Sequence, residues 1–295
     1  MSMHSYKVFM TVAQYKSFSA AAAVLNLTPS AISHIIAKLE NTMGFSLFAR
    51  TKTGVTLTPN GELILPRCFD VMRAQDLLEQ QTASVRGLSA GTISIAAFNS
   101  VTVMWLPDII RQFQEQYPEM EIRIFQGTYD DVLYWAKLKM VDLALVSESF
   151  IEGLAMVPLH RDSLLCVTPV GVYPEDKEYL TIEEIRDKNF IMQRDRYSLD
   201  IAALLEENNI AVSHNFRLVD DNSLAAMVAG GFGFCLMPQL AFATTNSNVA
   251  AYPLRPECFR TIGLCEISPQ SASPAVAMMK DVIVDYVHRK NLYNF

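Results

Sequence analysis

The chain has 295 residues, 51% of them hydrophobic, enough for a small module and a larger one with separate cores, which excludes a largely disordered protein. Its formal net charge of -7, taken alone, argues against a polyanionic partner. The charge is uneven, however: through Asn60 the five cations Lys7, Lys16, Lys38, Arg50 and Lys52 face Glu40 alone, giving +4 and leaving -11 for the remainder.

Tyr6, Phe9, Val12 and Ala13 recur at helical spacing and predict a first amphipathic helix ending near Tyr15 and Lys16. Ser17 and Ser19 can cap a second helix, whose small residues Ala20 to Ala23 allow close approach and whose Leu25 anchors it. After a turn at Leu27, Thr28-Pro29 is a start signal: the threonine oxygen accepts an orphan amide, and proline is tolerated at the first helical position. The third helix puts Ile32, Ile35, Ile36, Leu39 and Met43 on one face and Ser30, Ser33, His34, Ala37 and Lys38 on the other. A slim, polar, basic face suits the DNA major groove, although for this helix alone a solvated surface is the simpler reading. The following turn changes that balance. Gly44 ends the helix, Leu47 and Phe48 return to the core, and Arg50 to Gly54 forms a basic turn before Val55, Thr56 and Leu57. That pattern reads as a wing whose Arg50 and Lys52 reach phosphates.

These residues resemble a known family. Phe9, Val12, Ser17-Phe18-Ser19, Ala21-Ala22, Leu25, Thr28 to Ser33, Leu39-Glu40, Gly44, Leu47-Phe48, Arg50, Leu57-Thr58 and Gly61 are similar, in order and spacing, to the DNA-binding domain of LysR-type regulators. The resemblance implies a DNA-contacting set of Thr28, Pro29, Ser30, Ser33, His34 and Lys38, with Arg50 and Lys52 on the backbone. Many relatives carry glutamine where this chain has Pro29, so one base-reading amide is absent.

Thr58-Pro59 opens a long helix reaching about Val85, with Ile64, Val71, Leu78 and Val85 spaced by seven as a dimer seam. Packing on its own domain is the alternative. Pro66 is expected to weaken or bend its first turns. From Thr92 onward strands and helices alternate. Strands are predicted at Thr92 to Phe98, Glu121 to Phe125, Asp142 to Val146, Phe190 to Met192, Phe216 to Val219 and Phe234 to Met237. Helices are predicted over Leu106 to Tyr117, Val132 to Leu138, a capping box at Thr181 to Glu184, Leu204-Leu205, Leu224 to Val228 and Val276 to Tyr286.

The fold class is therefore α/β overall. It comprises a winged helix-turn-helix (1–60), a linker and dimerisation helix (61–88), and an effector-binding domain (89–295) with lobe I about 92–162 and 266–295 and lobe II about 163–265. The resemblance extends to periplasmic solute-binding proteins and implies a two-lobed, type II domain of that kind. Ligands in such sheets sit beyond strand carboxyl ends, near helix starts. That places Ser100, Val101, Thr102, Thr128, Ser147 and, as a looser carry-over, Gln193 at the effector cleft, where capping a loop is the competing role. Hydroxyls at helix starts motivate a small carboxylate or other anion as effector, with Arg194 or Arg196 as its partner.

Other signals lead away from catalysis. Gly87-Leu88-Ser89-Ala90-Gly91 has the spacing of a nucleophile elbow but lies between a helix and a strand, the reverse of what that motif needs. Gly230-Gly231-Phe232-Gly233 follows a helix and precedes a strand, so it is a helix stop and not a dinucleotide site. His4, His34, His160, His214 and His288 lack paired spacing, so neither a metal nor a cofactor is expected. Cys68, Cys166, Cys235, Cys258 and Cys265 form no Cys-x-x-Cys and fit a reducing cytosol; inert thiols are the simpler reading, and a Cys258–Cys265 redox switch is the alternative. About 20 uncharged residues from Leu224 to Ala243 contain Gly230, Gly231, Gly233 and Pro238, and read as a buried helix, turn and strand rather than a membrane span. No signal peptide is indicated. A solute-binding protein would need export, and an enzyme would need a motif in the right context. The expected function is a cytoplasmic homodimeric or homotetrameric regulator, not an enzyme, with duplex DNA and a small effector as partners and no membrane.

Overall fold

The computed structural model describes residues 2–51, 54–85, 91–151, 153–193 and 199–290. Lys52, Arg194, Arg196 and the 87–90 part of the glycine junction lie outside them, as does the side chain of Arg50.

Three short helices, α1 (Met3–Tyr15), α2 (Phe18–Leu25) and α3 (Pro29–Met43), open the chain. Each start is a side-chain cap: Ser2 accepts from Ser5 N, Ser17 from Ala20 N and Thr28 from Ala31 N. Each end is a left-handed residue, Lys16, Asn26 or Gly44, which turns the chain sharply enough to stack the next helix on the last. The antiparallel wing strands β1 (Phe48–Thr51) and β2 (Gly54–Leu57) follow. Val8, Phe9, Val12, Ala21, Ala22, Ile32, Ile36, Leu39 and Leu47 make one core, completed by Leu65 and Cys68 of α4 (Pro59–Val85). Helix α4 runs without interruption through Pro66, with its first turns held against this core. Of the heptad positions, Ile64 packs partly on the core, whereas Val71 and Leu78 are exposed. The side chain of Val85 lies outside the described residues.

The larger domain begins with β3 (Gly91–Phe98), α5 (Asn99–Met104), α6 (Leu106–Gln116), β4 (Met120–Gly127), α7 (Tyr129–Lys137) and β5 (Leu143–Ser147). Strand β3 pairs in parallel with β4 and β5, as strands joined by crossover helices must. Next come β6 (Val157–Pro169), β7 (Leu180–Thr181), α8 (Ile182–Ile185), β8 (Phe190–Gln193), α9 (Leu199–Glu207), β9 (Val212–Leu218), α10 (Asp221–Ala229), β10 (Cys235–Pro238) and α11 (Gln239–Phe242). The chain finishes with β11 (Val249–Arg255), β12 (Phe259–Glu266) and α12 (Pro274–Arg289). The expectations lacked β6, β11 and β12, yet these strands join the two lobes. The first half of β6 pairs with β12, which pairs with β5; its second half pairs with β10 and β11. Helix α12 returns to the first lobe, where Met279 and Ile283 share a core with Ile93, Ile109 and Phe113.

The uncharged stretch from Leu224 is α10, a glycine turn, β10 and α11, with Leu224, Val228, Cys235, Met237 and Ala241 in one core. No single helix among the described residues is long and apolar enough to cross a membrane.

Helix α4 meets the wing's entry at Gly61, where an added Cβ would lie 2.2 Å from the carbonyl oxygen of Leu47, an oxygen already accepting from Thr58 N at 3.0 Å. Neither backbone can yield without breaking that contact. Gly61→Ala is expected to destabilise the N-terminal module by roughly 1–3 kcal/mol, as overpacked sites do. Thermal unfolding followed by circular dichroism checks this; an unchanged melting temperature contradicts the crowding.

Candidate DNA-facing helix and effector cleft

Along α3, Ile32, Ile36 and Leu39 are buried while Thr28, Pro29, Ser30, His34, Ala37 and Lys38 are exposed and Ser33 is half-buried. The polar residues therefore share one outward face. Thr28 works first as the cap: its Oγ1 accepts from Ala31 N at 3.2 Å and lies 3.0 Å from Ser30 Oγ. Glu40, the one acid of the first 60 residues, holds the start of the wing, its Oε1 accepting from Leu47 N at 2.6 Å and Phe48 N at 3.2 Å. Its charge is committed to backbone amides, so the outward face of α3 carries Lys38 and no carboxylate.

The second candidate is the crevice between the lobes. Its walls include Asn99 and Ser100 at the start of α5, Thr128 and Tyr129 at the start of α7, Gln193 at the end of β8, and Asp221 at the start of α10. Arg260 and Met237 line its floor. The cavity they enclose measures ≈ 30 Å³, room for about two waters. A ligand larger than that requires the lobes to part.

Arg260 is 2% exposed and stands opposite Asp162, itself 1% exposed, in the β6–β12 register. Its Nε and Nη2 donate to Asp162 Oδ2 at 2.9 and 2.7 Å, Nη2 also donates to Ser100 Oγ at 2.9 Å, and Nη1 donates to the Tyr129 hydroxyl. The guanidinium lies 4.8 Å from the Phe98 ring centroid. Burial works against its charge, but Tyr129 and Asp162 outweigh burial and leave it more basic than an ordinary arginine. Burial pushes the Tyr129 phenol up to about 12.

The other polar residues of the crevice have partners within the chain. Thr128 forms a capping box with Asp131. Ser147 and Ser149 donate across the cleft to Asp200 Oδ2 at 3.2 and 2.8 Å, and Gln193 donates to Asp221 Oδ1 at 2.8 Å. Of the residues expected at the cleft, Val101, Thr102 and Ser147 are not among those that line the cavity. The Val101 side chain is fully buried in the first-lobe core, because the helix start that exposes Asn99 turns position 101 inward. Thr102 bonds back to the carbonyl oxygen of Phe98 at 3.1 Å, the usual self-satisfaction of a helical threonine.

Sequence reasoning missed Asp162, Tyr129, Asp200, Asp221 and Arg260. The available signal was a lone charge beside an apolar run: Asp162 precedes Leu164 to Val167, and Arg260 precedes Ile262 to Cys265. No group of three or more metal-ligating residues occurs among the described residues. All five cysteines are free, and burial raises every thiol, Cys68 and Cys265 to about 11. Cys258 and Cys265 sit at opposite ends of the extended β12, which spans on the order of 20 Å, far too distant for a disulfide.

Comparison with known proteins decides the family. Residues 3–62 match the model of the bacterial regulatory helix-turn-helix protein, lysR family, and residues 86–287 match the LysR substrate binding domain. The chain belongs to the LysR family of bacterial transcriptional regulators. The uncharacterized HTH-type transcriptional regulator YvbU of Bacillus subtilis (strain 168) is 24% identical over 281 residues, covering 94% of this chain and 96% of that one. The fold is that of full-length OxyR from Pseudomonas aeruginosa, a cysteine variant, with TM-score 0.71, 21% identity and coverage of 98% and 95%. It is also that of full-length CbnR complexed with its target DNA, with TM-score 0.63, 18% identity and coverage of 98% and 99%.

In this LysR-family chain, removing one partner of the buried pair strands the other. Arg260→Met is expected to cost about 3–5 kcal/mol because Asp162 is left buried and uncompensated, and adding Asp162→Leu should restore most of it. Denaturant unfolding of the two variants measures both values; a double variant no more stable than Arg260→Met refutes the account.

Proposed function

We propose that this chain is a one-component regulator in which residues 1–60 grip duplex DNA, 61–88 dimerise, and 89–295 sense a small molecule between lobe I (about 92–162 and 266–295) and lobe II (about 163–265). The outward face of α3 carries the reading: its N-terminal residues are slim, polar and exposed on a packed scaffold, the form in which a recognition helix enters the major groove. Thr28, Pro29, Ser30, Ser33, His34 and Lys38 face the bases and nearby backbone, while Arg50 and Lys52 of the wing meet phosphates. The DNA complex of CbnR supports the partner. Membership of a regulator family supports a cytoplasmic, non-catalytic role.

The packing of the linker supports a route from sensing to DNA. Arg73 of α4 donates from Nε to Asp142 Oδ1 at 3.2 Å, from Nη1 to Ser268 Oγ at 2.9 Å and from Nη2 to Val141 O at 3.1 Å. Asp142 in turn accepts from Ser94 N at 2.8 Å. This fastens the linker to the lobe whose far end forms the cleft. Effector binding then biases how the two linkers of a dimer present their recognition helices, provided it favours one lobe arrangement over another.

Ser33→Glu puts a carboxylate against DNA and is expected to abolish specific binding in a mobility-shift titration while leaving the dimer intact by analytical ultracentrifugation. Unchanged affinity would remove α3 from the interface. Leu78, 64% exposed on α4, is expected to face the partner's linker: Leu78→Asp should weaken dimerisation by roughly tenfold or more without lowering monomer stability. Sedimentation equilibrium reads the constant, and an unaltered one places the dimer contact elsewhere.

A further inference from the structure

Among the described residues, the charges around the effector cleft do not balance. Among the described residues, Arg260 is the cation of the crevice and is already paired with Asp162, both nearly inaccessible. Two further carboxylates remain. Asp221 lines the cavity at 5% exposure, and Asp200 reaches across from α9 to Ser147 and Ser149. The hydrogen-bond partners of both are neutral: the amides of Gln193 and Asn99 for Asp221, hydroxyls for Asp200. Neither has a cation at ion-pair distance among the described residues.

Burial raises the proton affinity of both; the hydrogen bonds from Gln193 and Asn99 to Asp221 and from Ser149 and Ser147 to Asp200, with the more distant charge of Arg260, do not fully offset it. The start of α10 favours a negative charge at Asp221 but contributes only a partial positive charge. Among the described residues the site holds excess negative charge, and the hydroxyls of Thr128 and Ser147 already donate to carboxylates of the chain.

Resting on the effector-cleft reading above, we propose that the effector presents an organic ammonium group to Asp221. The ammonium supplies the missing counter-charge and donates to the Asp221 carboxylate, with the short apolar remainder of the molecule against Leu224, Leu236 and Met237. A metal ion is a poorer fit, since no cluster of three ligating side chains surrounds the position among the described residues. The expectation of an anion rested on Arg194 or Arg196, which lie outside the described residues. The feature that carries the ammonium site is a nearly inaccessible carboxylate on the cavity wall whose hydrogen-bond partners are uncharged amides.

The test uses the full chain and two small probes, methylammonium chloride and sodium acetate, at equal millimolar concentrations against sodium chloride. Methylammonium should raise the melting temperature and acetate should not. In Asp221→Asn, which keeps the shape and the bond from Gln193, methylammonium affinity should fall roughly tenfold or more. The unliganded Asn variant should also melt higher than the wild type, because an uncompensated buried charge has gone. Stabilisation by acetate alone, an undiminished methylammonium response in Asp221→Asn, or a less stable unliganded variant each overturns the proposal. Should neither probe act on the wild type, the ammonium site fails too; a mobility shift on the same preparation then shows whether DNA binding survives, which separates this failure from that of the regulator reading.

Discussion

A guanidinium held out of water must keep a carboxylate within contact, and the arrangement of the larger domain follows from meeting that demand between Asp162 and Arg260. The two residues oppose each other on β6 and β12, the strands that run between the lobes. Asp162 also accepts from Leu240 N at 2.9 Å at the start of α11, while Arg260 holds the starts of α5 and α7 through Ser100 and Tyr129. Five segments from both lobes are thereby fixed to one pair of charges. Any motion of the lobes must pivot around it or break it, and breaking it is far costlier than pivoting.

The strands that form the cleft also reach the linker. Strand β5 ends at Ser147 in the crevice and begins just after Asp142, which Arg73 holds; β12 carries Arg260 near its start and is followed by Ser268, which Arg73 also holds. The first lobe is thus tied to the linker at the ends of strands whose opposite ends approach the crevice. Lys139 adds a second tie to α4 through Asp70 at 2.9 Å, and the neighbouring Lys139 main chain is a left-handed turn that ends α7 against the linker.

The N-terminal module was legible because its signals are local. A cap, a proline and a glycine within α3's own span fix where that helix starts and stops, and its two faces separate at a period the eye can count. The crossover helices and their strands in the first lobe were legible for the same reason. Strands β6 and β12 were not. Their residues are mostly buried, so no polar alternation marks them, and their meaning depends on pairing across 98 residues, from Asp162 to Arg260. Polar cleft residues were found by their place after strands, but that rule cannot tell a side chain awaiting a ligand from one already satisfied: Thr128 caps its own helix, and Ser147 bonds to Asp200. The acidic surroundings of the crevice come from Asp200 and Asp221, which in sequence resemble ordinary helix-start carboxylates.

The narrowness of the crevice sets a tempo as well as a specificity. With Ser147 and Ser149 of one lobe tied to Asp200 of the other, and room for about two waters in the crevice that Arg260 lines, capture of a larger molecule has to wait for an excursion to an open form. At high metabolite concentration the response rate therefore plateaus at the rate of that excursion instead of rising without limit.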